Sequence, residues 1–223
     1  MKRLFELINK NLEGTSLHQM YQNKKYILPI ITISRERGSG GRPIAYLLAK
    51  KLKSPWRVYH KDIVEEIAQE TALDPELIEE LDEHQSSTIK ELLDTVFGKK
   101  FLSMNSYYKH LLHILASIGT RGHAIIMGRG ANFLFPNALN VRIISSMEDR
   151  VASMVKYEHI TVREAKKQIE QSDRERSEFT TSLFQHDPRK AHHYDLIIRT
   201  GKDVGVEEAT DLIISLAKKK FKL

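Results

Sequence analysis

The sequence has 223 residues, of which 41% are hydrophobic and 29% are charged, and this is enough apolar material for one good core with a small subdomain. It contains no cysteine, which excludes disulfide bonds, thiolate catalysis and cysteine-based zinc sites. No segment is long and apolar enough to span a bilayer, so we expect a soluble, cytoplasmic protein without membrane contact. The net charge of +6 leaves two kinds of anionic partner open, nucleic acid or a phosphate-bearing small molecule.

Residues 1–25 are expected to form an N-terminal helical extension. Their apolar side chains have helical spacing, at Leu4, Phe5, Ile8 and Leu12, and a polar connector follows. The polar residues between them interrupt any apolar run of signal-peptide length. We expect this extension to dock on the body of the protein.

The strongest strand is predicted at residues 26–34, a run of apolar and β-branched residues typical of a strand that is covered on both faces. A glycine-rich turn follows at Gly38–Gly41. A helix is then predicted from Pro43 to Lys53, and Pro43 suits its first turn because the missing N–H costs nothing there.

Strands and helices alternate along the rest of the chain. Further strands are predicted at residues 57–59, 124–127, 140–145 and 195–199, and further helices within 62–119 and at 147–156, 161–179 and 206–219. This order indicates an α/β fold, a five-stranded parallel sheet with helices on both faces. Because such sheets bind ligands at the carboxyl ends of their strands, we expect the functional residues in the loops at that edge.

The turn between the first strand and the first helix has the composition of a phosphate-binding loop. It reads RERGSGGR, residues 35–42. Closely spaced glycines permit positive φ angles and close approach of a ligand, and N–H groups at the start of a helix attract anions. Its arginines can bind phosphate bidentately. Phosphate binding is therefore predicted for Arg37, Gly38, Ser39, Gly40, Gly41 and Arg42.

This loop is not a standard Walker A motif, GxxxxGK[ST], in which the lysine contacts the β- and γ-phosphates and the hydroxyl binds Mg²⁺. With Gly40 aligned on the last glycine, Gly41 stands at the lysine position and Arg42 at the hydroxyl position. The stretch ITISRERGSGGRPIAYLLAKKL nevertheless resembles the opening of the cytidylate-kinase-like family, whose members share an ISRE-x-GSGGR-x-IA phosphate loop. The resemblance implies that the missing lysine is a family trait, and we expect Arg42 to supply its charge.

The segment GRGAN, residues 128–132, resembles the same family and also the GRD segment of true cytidylate kinases. The resemblance implies that Arg129 binds the phosphate of the acceptor nucleotide, with Asn132 beside it. An arginine between glycines at the carboxyl end of a strand fits that role. Gly130 stands where true cytidylate kinases carry aspartate, which leaves recognition of the base open.

The second predicted strand runs into His60 and Asp62, where the family often reads FYDK. His60 takes the place of the family's aspartate. In related kinases an acidic group near this point binds or activates the acceptor. Asp62 is a candidate for that role, and equally for the N-cap of the next helix.

The sequence DRER, residues 173–176, resembles the DRxR segment of kinase lids, where arginines close over the transferring phosphate. The resemblance implies catalytic roles for Arg174 and Arg176, together with Asp173, through stabilisation of transition-state charge. Asp173 and Arg176 are three residues apart, so they share a helix face and can pair. The alternative is an ordinary solvated helix laced with salt bridges.

Together, the three motifs imply a P-loop kinase-like three-layer sandwich over residues 26–223, with a helical acceptor-binding region at about 60–121 and a lid at about 157–193. The implied reaction transfers the γ-phosphate of ATP, with Mg²⁺, to a nucleoside monophosphate, CMP or dCMP. Two alternatives stay open, a nucleotide-binding regulator without catalysis and a basic nucleic-acid-binding protein. No protein-held metal is predicted, since His110 and His113 lack a third ligand.

Overall fold

The computed structural model describes residues 29–60, 106–135 and 137–223, and elements are numbered within those residues. The strands are β1 (Ile30–Arg35), β2 (Arg57–Tyr59), β3 (Ala124–Met127), β4 (Leu139–Ser145) and β5 (Leu196–Thr200). The helices are α1 (Gly41–Leu52), α2 (Ser106–Arg121), α3 (Ala131–Leu134), α4 (Met147–Glu158), α5 (Val162–Phe184) and α6 (Val206–Phe221), and a 3₁₀ turn covers Ala191–His193.

All these strands belong to one parallel sheet in the order β2-β3-β1-β4-β5. The central strand, β1, pairs with β3 from Ile30 opposite Ala124, and with β4 as far as Arg35 opposite Ile143. The predicted α/β fold with a five-stranded parallel sheet is therefore confirmed. Because parallel strands end at the same edge, the loops after β1, β3 and β4 are neighbours in space.

Alternate residues of β1 face two separate apolar layers. Ile31 and Ile33 are fully buried in a cluster that contains Ile44 of α1 and Ile213 of α6. Ile30 belongs to the opposite layer, with residues of α2, α3 and the end of α5. Burial on both faces explains the continuous β-branched run in the sequence and gives the three-layer arrangement.

Most element boundaries differ from the sequence predictions by a few residues, and two of these differences concern the candidate site. β1 includes Arg35, because its backbone continues to pair with β4. α5 continues past Phe179 to Phe184, because Leu183 and Phe184 are buried in the core. Residues 183 and 184, which fall within the lid predicted at about 157–193, therefore form the buried end of a helix.

Several predictions concern parts of the chain outside the described residues. These are the N-terminal extension, most of the acceptor-binding region between residues 61 and 105, and Asp62. The division into extension, acceptor-binding region and lid stays a prediction. Within the described ranges, no helix has the length and apolar character that crossing a membrane requires.

The charged helix α5 begins with a capping box formed by Thr161 and Glu164. Thr161 Oγ1 accepts a hydrogen bond from the N–H of Glu164 at 3.2 Å, and Glu164 Oε2 accepts one from the N–H of Thr161 at 3.4 Å. These bonds satisfy donors that the first turn of a helix leaves open. They fix the start of α5, the helix that carries the predicted lid arginines.

Thr161→Ala should lower the free energy of unfolding by about 1 kcal/mol, because the N–H of Glu164 loses its acceptor. Thr161→Ser is the matched control, since a serine hydroxyl caps a helix equally well. Urea unfolding followed by far-UV circular dichroism measures both variants. Equal stability of the alanine variant and the wild type would show that α5 does not depend on this cap.

Candidate functional site

The turn between β1 and α1 has the backbone geometry of an anion-binding loop. Gly38 and Gly40 have φ angles of 81° and 79°, in the left-handed region that favours glycine. The N–H groups of Gly38, Gly40 and Gly41 donate to no acceptor within the described residues. They lie at the N-terminus of α1, where the helix dipole adds partial positive charge. The loop therefore offers several donors to one anion.

Hydrogen bonds to β4 and β5 hold this loop from beneath. Ser39 Oγ donates to the carbonyl oxygen of Ile143 at 3.3 Å, and Thr200 Oγ1 donates to the carbonyl oxygen of Ser39 at 2.9 Å. The N–H of Ser145 donates to Glu36 Oε2 at 3.1 Å. Ser39 is buried, so its hydroxyl serves the scaffold.

Helices α4 and α5 place an ion-pair network against the loop. Arg150 Nε donates to the carbonyl oxygen of Arg37 at 2.7 Å, and Arg150 Nη2 pairs with Asp173. Asp173 Oδ1 accepts a hydrogen bond from the N–H of Arg37 at 3.1 Å. Arg176 Nη1 donates to the carbonyl oxygen of Arg35 at 3.1 Å and lies 3.7 Å from Asp173 Oδ1. Asp173 and Arg176 thus share a helix face, as predicted, and both contact the loop.

The turn after β3 is strained and brings Arg129 to the same edge of the sheet. Gly128, Arg129 and Gly130 have consecutive positive φ angles of 75°, 53° and 68°. A non-glycine residue in this region costs free energy, and such strain often marks a functional position. The guanidinium carbon of Arg129 lies 4.7 Å from the ring centroid of Phe179 on α5. The end of β3 and the helix α5 therefore position this arginine together.

The glycine at position 130, in place of an aspartate, has a packing reason. A β-carbon built on Gly130 would overlap the ring of Phe184. The neighbouring Asn132 is 9% exposed, and its Nδ2 has no hydrogen-bond partner within the described residues. A buried amide donor without an acceptor costs free energy, which suits Asn132 to a ligand oxygen.

A cavity of about 890 Å³ lies between the loop, the turn after β3 and the helices α4 and α5. Most of the predicted site residues line it, namely Arg37, Gly38, Gly40, Gly41, Arg42, His60, Arg129, Asn132, Asp173 and Arg176. Two predicted residues do not line the cavity. The side chain of Ser39 is buried on the underside of the loop, and Arg174 is exposed on α5. The fold thus brings together motifs that are far apart in the sequence.

Arg35 and Arg142 also line the cavity, although the sequence analysis did not select them. Arg142 Nη1 donates to Ser34 Oγ at 3.2 Å, and its Nη2 lies 3.7 Å from Glu36 Oε1. A charged residue inside a buried strand was the available sequence signal for Arg142. No such signal distinguishes Arg35 from the other arginines of the loop.

Positive charge exceeds negative charge around the loop. The carboxylates of Glu36, Glu158 and Asp173 are already paired with arginines. Burial, followed by the charge of four neighbouring arginines, lowers the pKa of Arg35 to about 9. Burial also lowers the pKa of Arg176. The folded protein therefore disfavours this positive charge, and a bound polyanion would offset the cost.

Comparisons with known proteins give one family and one fold. The model of the cytidylate kinase-like family matches residues 30–202. The structure of an uncharacterized protein from Eubacterium ventriosum superposes with a TM-score of 0.68 and 19% identity, covering 86% of this chain and 99% of its own. Shikimate kinase from Bacteroides thetaiotaomicron matches with a TM-score of 0.47 and 14% identity, covering 86% of this chain and 99% of its own. No curated protein sequence matches the chain.

Arg35→Met should raise the free energy of unfolding at pH 7 in the absence of ligands. Folding lowers the pKa of Arg35 from its ordinary value to about 9, so the unfolded chain binds this proton more tightly. The positive charge therefore lowers stability by its full amount at pH values below about 9. The gain over the wild type should shrink as the pH rises through about 9, where the folded wild type loses the proton.

Thermal unfolding between pH 7 and pH 10 measures this difference. Arg42→Met is the control, because it removes the same group from an exposed position, where substitutions usually change stability by less than about 0.5 kcal/mol. An Arg35→Met protein less stable than the wild type at pH 7 would contradict the prediction.

Proposed function

This chain belongs to the cytidylate kinase-like family, and on that premise we propose that it is an ATP-dependent phosphotransferase of the nucleoside monophosphate kinase type. The γ-phosphate of ATP passes to the phosphate of the acceptor nucleotide. CMP or dCMP is the acceptor that the family resemblance favours. Catalysis would consist mostly of positioning and of stabilising charge, as is usual for phosphoryl transfer.

One observation carries this proposal, the position of the loop amides and of Arg129 on the same cavity. The loop follows β1 and Arg129 follows β3, and these two strands are paired neighbours. Donor phosphates on the loop and an acceptor phosphate on Arg129 would therefore meet at one edge of the sheet. The cavity volume of about 890 Å³ suits two small substrates together, since ligand sites commonly span roughly 300–1,000 Å³.

The donor phosphates would be bound mainly by the main chain. The N–H groups of Gly38, Gly40 and Gly41 supply the donors, and α1 supplies the dipole. Arg42 lines the cavity from an exposed position and adds charge. Arg37 Nη2 is 2.5 Å from Glu158 Oε2, in a partly exposed pair that can yield to a phosphate at little cost.

The acceptor phosphate would be bound by Arg129, whose planar guanidinium suits two phosphate oxygens. Asn132 offers a buried amide donor beside it, and His60 lines the same cavity after β2. Asp62 remains part of the predicted acceptor site and lies outside the described residues. Support for cytosine as the base comes from the family resemblance. The aspartate of true cytidylate kinases cannot contribute here, because Phe184 fills the space that a side chain at position 130 would need.

The helix α5 would stabilise the transferring phosphoryl group. Arg176 lines the cavity and is anchored to the loop, so it can meet negative charge with little reorganisation. Asp173 binds Arg150 and the N–H of Arg37, which gives it a positioning role in addition to the predicted catalytic one. Arg174 would have to reach the site from the exposed side of the helix.

Mg²⁺, which kinases of this kind use, finds no ready ligand set among the described residues. No cluster of three or more His, Cys, Asp or Glu side chains there could hold a metal ion. Arg42 stands where the Walker motif has a hydroxyl, and Glu36 and Asp173 are paired with arginines. The described residues therefore do not fit a protein-held Mg²⁺, and we assign no step to one.

A nucleotide-binding regulator without catalysis is the second candidate, and the non-standard loop favours it, since Gly41 stands at the lysine position and Arg42 at the hydroxyl position of the Walker motif. The carboxylate of Asp173, which accepts from the N–H of Arg37, also occupies a loop amide in this structure. The nucleic-acid-binding alternative has less support. Its cationic groups line a cavity with backbone donors, whereas single-strand binding uses exposed grooves with stacking rings.

Purified protein incubated with ATP, Mg²⁺ and a panel of nucleoside monophosphates should form ADP and phosphorylate CMP or dCMP fastest, as separated by anion-exchange chromatography. ATP binding without turnover of any acceptor would favour the regulator. Absence of ATP binding, together with a DNA or RNA affinity that falls steeply with salt, would instead support nucleic-acid binding.

Arg129→Ala should weaken monophosphate binding by roughly 10- to 100-fold, because charge-assisted hydrogen bonds to the phosphate are lost. ATP affinity should change much less in this variant, whereas Arg42→Ala should weaken ATP binding without unfolding the protein. Arg199→Ala is the matched control, since it removes an exposed arginine of β5 outside the cavity lining. Isothermal titration calorimetry measures each affinity. Wild-type monophosphate affinity in Arg129→Ala would show that the acceptor assignment is wrong.

A further inference from the structure

Arg35 holds the position of the first glycine in GxxxxGK[ST] when Gly40 is aligned with the last glycine of that motif. Position 41, where the motif has lysine, is a glycine. Relative to the standard motif, the chain therefore has an arginine in place of the first glycine and a glycine in place of the lysine. The two changes lie at opposite ends of one loop.

The stem of Arg35 fills the space in which a side chain at position 41 would begin. A β-carbon built on Gly41 would lie 2.7 Å from Cβ and 2.9 Å from Cγ of Arg35. Atoms that are not bonded to each other do not pack so closely. A lysine at position 41 and the observed Arg35 side chain are therefore incompatible, and Gly41 makes room for Arg35.

The guanidinium of Arg35 reaches the carboxyl end of β3. A β-carbon built on Gly128 would overlap Nη1 of Arg35, so a glycine is required there as well. Gly128 directly precedes Arg129, which binds the acceptor phosphate in the proposed function. Arg35 thus extends from the donor loop to the acceptor side of the cavity, across the path of the transferring group.

The charge of Arg35 is not neutralised by the part of the chain that the structure describes. Its guanidinium makes no hydrogen bond or ion pair there. Burial and the surrounding arginines lower its pKa, which reports an electrostatic cost. Arg42, the residue expected from the sequence to replace the lysine, is exposed. Since Arg35 is partly buried and has no counterion among the described residues, it is the better candidate to contact a bound polyphosphate.

We propose that Arg35 takes the place of the Walker lysine and contacts the β- and γ-phosphates of the donor nucleotide. This inference rests on the proposed function for the identity of the donor. During transfer an oxygen of the acceptor phosphate forms a bond to the γ-phosphorus, and the bridging bond from that phosphorus to the β-phosphate oxygen breaks. The electron pair of the broken bond leaves with ADP. Arg35 stays protonated throughout and stabilises the charge that moves onto the bridging oxygen.

A set of exchange variants tests this assignment. Arg35→Met removes the charge and keeps the stem, Arg42→Met is the competing single change, and Lys50→Met is an exposed control on α1. Gly41→Lys adds the lysine against Arg35. The double variant Arg35→Gly with Gly41→Lys restores the first glycine and the lysine of the standard motif, with Arg42 still at the hydroxyl position. Calorimetry with inorganic tripolyphosphate and with ATP gives affinities, and steady-state kinetics gives phosphoryl transfer.

Arg35→Met should weaken tripolyphosphate and ATP binding by roughly 10- to 100-fold, and Arg42→Met by a smaller factor. Gly41→Lys alone should lose stability without gaining affinity. The double variant should recover most of the binding lost in Arg35→Met. Wild-type affinity in Arg35→Met, or a folded double variant that recovers none of the binding, would overturn the assignment.

These readouts separate this inference from the proposed function. Tripolyphosphate binding that depends on Arg35, in a protein that transfers no phosphate, would support the Arg35 assignment and overturn the function. Phosphoryl transfer that Arg35→Met leaves unchanged would support the proposed function and overturn the Arg35 assignment. Should Arg35→Met not fold, the wild type decides: tripolyphosphate must shield Arg35 from an arginine-specific dicarbonyl reagent in peptide mass mapping, and unchanged labelling would overturn the assignment.

Discussion

The crowding of guanidinium groups at the carboxyl end of β1 is the constraint around which the site is arranged. Such groups repel one another unless carboxylates, carbonyl oxygens or anions separate them. Glu36 and Asp173 each lie between two arginines, and two of these arginines, Arg176 and Arg150, also donate to the carbonyl oxygens of Arg35 and Arg37. The same contacts hold α4 and α5 against the loop. The contacts that balance the charge of the loop are therefore the same contacts that position α4 and α5.

The glycines of the two motifs are packing residues as well as loop residues. A β-carbon on Gly38 would lie 2.8 Å from the carbonyl oxygen of Arg150, so the loop and α4 are in close contact. Gly41 and Gly128 make room for one side chain, Arg35, from two directions. Gly130 makes room for Phe184. The departures from standard kinase motifs thus follow from what lies beside each glycine, and they form one connected rearrangement.

The contact of Asp173 with the loop links α5 to the candidate phosphate-binding loop. Its Oδ1 accepts from the N–H of Arg37, and its Oδ2 pairs with Arg150. A phosphate that came close to that N–H would compete with the carboxylate and repel it. Arg176, one turn further along α5, is anchored to the carbonyl oxygen of Arg35. An anion bound at the loop would therefore change the contacts that hold α5, as the predicted lid role requires.

Local patterns in the sequence determined the elements, the parallel sheet, the capping box at Thr161 and the place of the glycine-rich loop. These features depend on neighbours a few residues apart, so spacing and residue type encode them. Only the tertiary structure decided which distant arginines contact the loop, because Arg150 and Arg176 reach it across 113 and 141 residues of chain. It also showed that the side chain of Ser39 lies on the underside of the loop, against β4. Gly41 and Gly128 both leave space for the side chain of Arg35. Steric exclusion and charge balance act between segments that are distant in the sequence. The spacing of residues within one segment therefore cannot predict them.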